Sequence, residues 1–258
     1  MFEPFHSKLV EDFAQFNYFQ YMRPNQKDDA LHNYVRRILT GQIRDRWIDR
    51  QVETIWPKWR VIKDVRACLF LRWIHNRFPE VPIVFIIRHP CAVVASRIKL
   101  GWAPDHDLDP LLEQEHLLED FLGRKLATIR SARTDEEKHA IAWCVSNLVP
   151  LRQFRGTPLH VVYYENLYLH PEEEIPKIFS AIGRPYTESV FRYARRPSTT
   201  TRMQSAVFSG TDIISAWRHE LSADAIARVL GIVDDFGLGH LYGNSDLPLQ
   251  KKIRIQAN

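Results

Sequence analysis

Apolar positions fall into two kinds of pattern along the chain. Ile83 to Ile87 form a continuous apolar run rich in β-branched residues, and residues 159–164 (Leu-His-Val-Val-Tyr-Tyr) form a second. Strands buried on both faces, as in parallel sheets, read this way. Arg60-Val-Ile-Lys63 reads as a third, shorter strand. Elsewhere the period changes to that of a helix. Leu31, Val35, Ile38 and Leu39 predict an amphipathic helix over 28–50. Val65, Leu69, Trp73 and Ile74 predict one over 65–77, ended by Pro79 and Pro82. Further helices are expected at 91–100, 110–130, 135–154 and 171–182. Pro90 suits a first helical turn, Thr134 and Glu137 fit a capping box, and Gly183 fits a stop. Pro176 is awkward inside its helix. Ser222 caps a last helix running to about Phe236. Residues 1–25 carry seven aromatics (Phe2, Phe5, Phe13, Phe16, Tyr18, Phe19, Tyr21) and read as irregular structure packed on a core. Residues 195–216 are rich in Thr, Ser and Arg and read as a long loop.

Strands alternating with helices, without hairpin turns, predict an α/β fold. The expected architecture is three-layered: a mostly parallel sheet flanked by helices. A single domain over 1–258 is expected, with an irregular segment 1–25 and a tail 244–258. The 258 residues, 45% hydrophobic and 26% charged, suffice for such a core. The net charge of +4 suits an anionic ligand, and equally a basic surface kept for solubility.

Cys68, Cys91 and Cys144 are odd in number, widely spaced and set in apolar stretches, which argues for buried thiols over a disulfide framework or a zinc site. No run of about 18 apolar residues predicts a membrane span. Met1 to Val10 do not read as a signal peptide, and a cytoplasmic location is expected. No metal and no nucleic-acid partner are expected. Asp105-His-Asp107-Leu-Asp109 lacks the glycine and terminal glutamate of a calcium loop and reads as a solvated acidic loop.

The sharpest feature is Ile83-Val-Phe-Ile-Ile-Arg88-His-Pro90-Cys-Ala-Val-Val-Ala-Ser96. Ligands of open parallel sheets bind beyond the carboxyl ends of the strands, where Arg88 sits. The next helix would point its free N–H groups at the same crevice. Arginine offers a planar fork to phosphate oxygens and Ser96 a hydroxyl. Two readings of Arg88 stand on the residues alone: a phosphate clamp, or a strand-ending arginine paired with a nearby carboxylate.

Arg-His-Pro, then five residues and Ser, after an apolar strand, resembles the 3′-phosphate motif of the sulfotransferases that use 3′-phosphoadenosine 5′-phosphosulfate (PAPS). Val161-Val-Tyr-Tyr-Glu-Asn-Leu167 with His170-Pro-Glu172 is similar to a second element of that family. Trp217-Arg218 with Leu221-Ser222 is similar to a third, and Val61-Ile-Lys63-Asp64 to its strand ending in lysine. The resemblance implies that Arg88 and Ser96 hold the donor's 3′-phosphate and that Tyr164 contacts the adenine. It implies that Lys63 lies near the phosphosulfate, and Arg202 is a further candidate for the 3′-phosphate. Glu3, then His6, are candidates for the general base near the acceptor. The implied partners are the nucleotide donor and an acceptor hydroxyl or amine. None of the ten glycines opens the family's loop for the 5′-phosphosulfate. Phe2-Glu3-Pro4 resembles the family segment just after its first helix. The first strand, loop and helix, roughly 30–40 residues, are therefore expected to lie outside this sequence. The alternative is a noncatalytic nucleotide-binding or interaction protein on the same scaffold.

Overall fold

Two short strands carry the α/β character. The computed structural model describes residues 1–50, 59–194 and 213–249. Strand β1 spans Val84–Ile87 and β2 spans His160–Tyr163. They pair in parallel, with Val84 opposite His160 and Ile87 opposite Tyr163. Parallel neighbours need a long crossover, and this one contains the helices Pro90–Lys99 and Asp135–Gln153. Among the described residues the sheet has these two strands. The run at 60–63 is not a strand; its Lys63 makes a single parallel bridge with Phe2.

The described chain folds as two compact units, one of residues 1–81 and 106–124, the other of 82–105 and 125 onward. In the first unit the aromatic N-terminal segment packs on the helix Asp29–Leu39 and the turns around Phe70. Phe5 meets Phe13 and Phe70 edge to face, with centroids 5.5 and 5.1 Å away. Phe13 and Phe70 are fully buried, each worth about 1.5–3 kcal/mol.

That first helix ends eleven residues short of the expected boundary, at Leu39 rather than 50. Gly41 takes a φ of 74°. Its N–H bonds the Ile38 carbonyl, and the Gln42 N–H bonds that of Arg37. These paired bonds are a Schellman stop, for which glycine carries no steric penalty. The expected helix over 110–130 is also broken into short pieces after Asp105–Leu112. Pro110 lacks an N–H to continue the ladder. Buried Gln114 turns away to hold the N-terminal segment, donating to the Phe19 carbonyl at 2.7 Å and accepting the Tyr21 N–H at 2.7 Å.

In the second unit, Pro90–Lys99, Asp135–Gln153 and Ala223–Asp235 pack through small apolar residues: Cys91, Ala92, Ala95, Ala140 and Ala225. The Thr134–Glu137 capping box forms, and Ser222 Oγ accepts the Ala225 N–H at 3.1 Å. A helix not anticipated from the sequence, Tyr164–Leu169, follows β2 at once. All three cysteines are free and buried. No helix among the described residues is long and apolar enough to cross a membrane.

Candidate functional site

Arg88 follows the last residue of β1, and its guanidinium lies over the Tyr164 ring, 4.6 Å from the centroid. Tyr164 holds the equivalent place after β2 and stacks in turn on the exposed Tyr168. No described carboxylate pairs with Arg88. Glu165, the carboxylate beside it, is engaged elsewhere: Oε1 accepts the His89 N–H at 2.9 Å and Oε2 accepts the Tyr242 hydroxyl at 2.6 Å. Burial pushes the Glu165 carboxyl above the ordinary carboxylate range, and the two donated bonds oppose that push.

His89 closes the turn. Its Nδ1 accepts the Cys91 N–H at 3.2 Å, and its Nε2 lies 3.1 Å from the Gly243 carbonyl oxygen. Only the neutral ring protonated on Nε2 satisfies both. Full burial pushes its pKa down to about 4. The ring also stacks on Trp217, centroids 4.5 Å apart. These bonds change one expectation. Pro90 has no N–H, that of Cys91 goes to His89 Nδ1, and that of Val93 to the His89 carbonyl. Of the first amides of this helix, that of Cys91 is therefore taken by the protein itself, which puts more of the burden of holding an anion on Arg88. Ser96 is half-buried as the seventh residue of that helix, about 9 Å of rise from its start.

The first unit holds a second charged cluster. Glu3 is buried with a left-handed φ of 41°, a conformation a non-glycine residue holds only when its surroundings fix it. Its N–H bonds the Lys63 carbonyl at 2.7 Å. Its carboxylate meets Lys63 Nζ at 2.5 Å and Arg66 Nη1 at 2.7 Å. Arg66 also bonds the Tyr18 hydroxyl. Burial alone would raise the Glu3 pKa, but Lys63 and Arg66 outweigh it and hold the carboxyl below its usual value. Asp64 accepts N–H groups from Phe5, Arg66 and Ala67, which pins the turn, and burial pushes its pKa up to about 6. Buried His6 packs edgewise on Tyr18 and Trp47, its Nδ1 without a partner. Burial, then the Arg66 charge, push its pKa down to about 4.

Of the residues singled out from the sequence, Arg88 and Tyr164 meet, and so do Glu3 and Lys63, with His6 joined to that cluster through Tyr18. Arg202 lies outside the described residues. Sequence reasoning passed over Arg66, Tyr18, His89, Glu165, Trp143 and Tyr242. His89 and Glu165 stood inside motifs already quoted. Trp143 and Tyr242 carried no local signal.

The sulfotransferase family matches residues 6–188, well over half of the chain. This chain belongs to the sulfotransferase family. The matched stretch includes His6, Lys63, Arg88, Ser96 and Tyr164, while Glu3 and Arg202 fall outside it. A curated relative, nodulation protein NoeE of Sinorhizobium fredii, is 27% identical over 183 residues, covering 66% of this sulfotransferase-family chain and 41% of NoeE. The chain thus spans about two fifths of that relative's length. No solved structure matches. Among the described residues no group of His, Cys, Asp or Glu side chains could hold a metal ion.

Proposed function

We propose that the protein transfers a sulfuryl group from PAPS to an acceptor hydroxyl or amine. The observation that carries this reading is Arg88: a guanidinium at the carboxyl end of a parallel strand, paired with no described carboxylate and resting on an aromatic ring. Family membership supplies the reaction class. In the second unit Arg88 and Ser96 take the 3′-phosphate, by charge-assisted bonds and a hydroxyl, and Tyr164 contacts the adenine. Arg202 is retained as a candidate for the same phosphate.

The acceptor oxygen or nitrogen attacks sulfur, the bond from sulfur to the bridging oxygen breaks, and its electron pair stays on the leaving phosphate. Lys63 stabilises that charge; its side chain is 53% exposed, so it can exchange Glu3 for a ligand. The acceptor's proton goes to a base. Glu3 is doubly paired and acidified, which makes it a weak one. His6 is neutral at pH 7, but burial and the Arg66 charge make it a weak base as well, so Glu3 and His6 both stand as candidates for that proton, and Glu3 also holds Lys63 in place. No metal takes part in this scheme.

The test is to incubate the protein with PAPS and a panel of hydroxyl and amine acceptors, and to follow adenosine 3′,5′-bisphosphate. Acceptor-dependent release that falls in Lys63→Ala, with donor affinity little changed, supports transfer. Donor binding without release supports the noncatalytic nucleotide-binding alternative.

A further inference from the structure

Arg88 and His89 share one peptide group, and two buried side chains hold it from opposite ends. Its oxygen, the Arg88 carbonyl, accepts Trp143 Nε1–H at 3.0 Å. Its nitrogen, the His89 N–H, donates to Glu165 Oε1 at 2.9 Å. Trp143 comes from the helix Asp135–Gln153 and is 3% exposed; Glu165 comes from the first turn of the helix Tyr164–Leu169 after β2 and is 1% exposed. Tyr242 anchors the other Glu165 oxygen, so the carboxylate cannot swing away. A peptide plane held at both its oxygen and its nitrogen fixes the adjoining torsions, and with them the direction in which the Arg88 side chain leaves the backbone.

Ending a strand does not require this arrangement, since water satisfies strand-end amides equally well. A buried carboxylate beside an anion-binding arginine has the wrong sign for affinity and is costly to desolvate. Its use is therefore geometric. Both of its oxygens are taken by neutral donors, which leaves the guanidinium on Tyr164 instead of drawing it into an ion pair.

We infer that Glu165, assisted by Trp143, is a positioning residue that presents Arg88 to the 3′-phosphate. This rests on reading Arg88 as the phosphate ligand. The start of the helix after β2 would then do two jobs: Tyr164 lies under the guanidinium while Glu165 holds the backbone that bears it.

The experiment is calorimetric titration with adenosine 3′,5′-bisphosphate and with AMP, on the intact chain and on Arg88→Ala, Glu165→Ala, Glu165→Gln and Trp143→Phe. The readout is the ratio of the two affinities, which a merely structural role would not move. Glu165→Ala should lower that ratio about tenfold, the worth of one well-placed hydrogen bond. Trp143→Phe should lower it less. Glu165→Gln, which keeps an acceptor for the His89 N–H and loses the charge, should keep or raise it. A folded Glu165→Ala, or a Trp143→Phe, with the ratio of the unaltered protein overturns the inference; if Glu165→Ala does not fold, Trp143→Phe decides. If the unaltered protein shows no preference, or Arg88→Ala leaves the preference intact, the assignment of Arg88 falls and takes the inference with it.

Discussion

The two units treat their key cations in opposite ways. In the first, Lys63 and Arg66 share one carboxylate, Glu3, and Arg66 takes Tyr18 as well. In the second, Arg88 has a carboxylate neighbour that is already bonded to His89 and Tyr242, and its guanidinium rests on Tyr164. A cation that is paired internally holds the fold and must be released before it can bind an anion. A cation whose backbone is locked and which, among the described residues, forms no ion pair is ready for one. Stability should therefore reside in the Glu3 network, and anion recognition at Arg88.

The largest effect expected is on stability. Glu3→Gln leaves the buried Arg66 guanidinium short of its counter-ion and should cost about 3 kcal/mol in urea unfolding. A loss well under 1 kcal/mol would show that the network is not structural. Next comes binding. Arg88→Ala should weaken adenosine 3′,5′-bisphosphate about a hundredfold, one bidentate charged contact, and leave the unfolding midpoint nearly unchanged. A large stability loss there would erase the contrast between the units.

The third effect is pH dependence. His89 is buried as the neutral ring with its pKa near 4, below the ordinary value of 6.5. Between those values the unfolded chain takes up a proton that the folded chain refuses. Stability is then full above about pH 6.5 and falls as pH drops toward 4, by about 2 kcal/mol between pH 7 and pH 5. His6 acts in the same direction. Urea melts at the two pH values check this, and a flat profile would contradict the buried neutral rings. Smallest is Lys63→Ala, which should cost under about 1 kcal/mol of stability, because that end of the Glu3 network is exposed to solvent.

What was legible in the sequence was mostly local. The runs at 83–87 and 159–164 became β1 and β2, and the Thr134–Glu137 box and the Ser222 cap formed where their residue types placed them. The misses came from distant partners or from glycine geometry. Gly41 ended a helix whose apolar stripe continued beyond it. Gln114 left its helix to bond Phe19 and Tyr21, more than 90 residues away in sequence. At the site, Arg88 was legible because strand, arginine, proline and serine lie in one short stretch. That the Cys91 amide beside it is capped was not legible, because His89 reveals its tautomer only against Cys91 and Gly243. Glu165 stood in a quoted motif, yet its bond to the His89 N–H crosses 76 residues.

The central claim is that Arg88, paired with no carboxylate among the described residues, makes this chain a receptor for a 3′-phosphorylated nucleotide. The most direct measurement is the affinity of the unaltered protein for adenosine 3′,5′-bisphosphate against AMP, titrated at neutral pH and at two salt concentrations. The account predicts at least about a tenfold preference for the bisphosphate, weakening as salt rises. Equal affinities at both concentrations would contradict it.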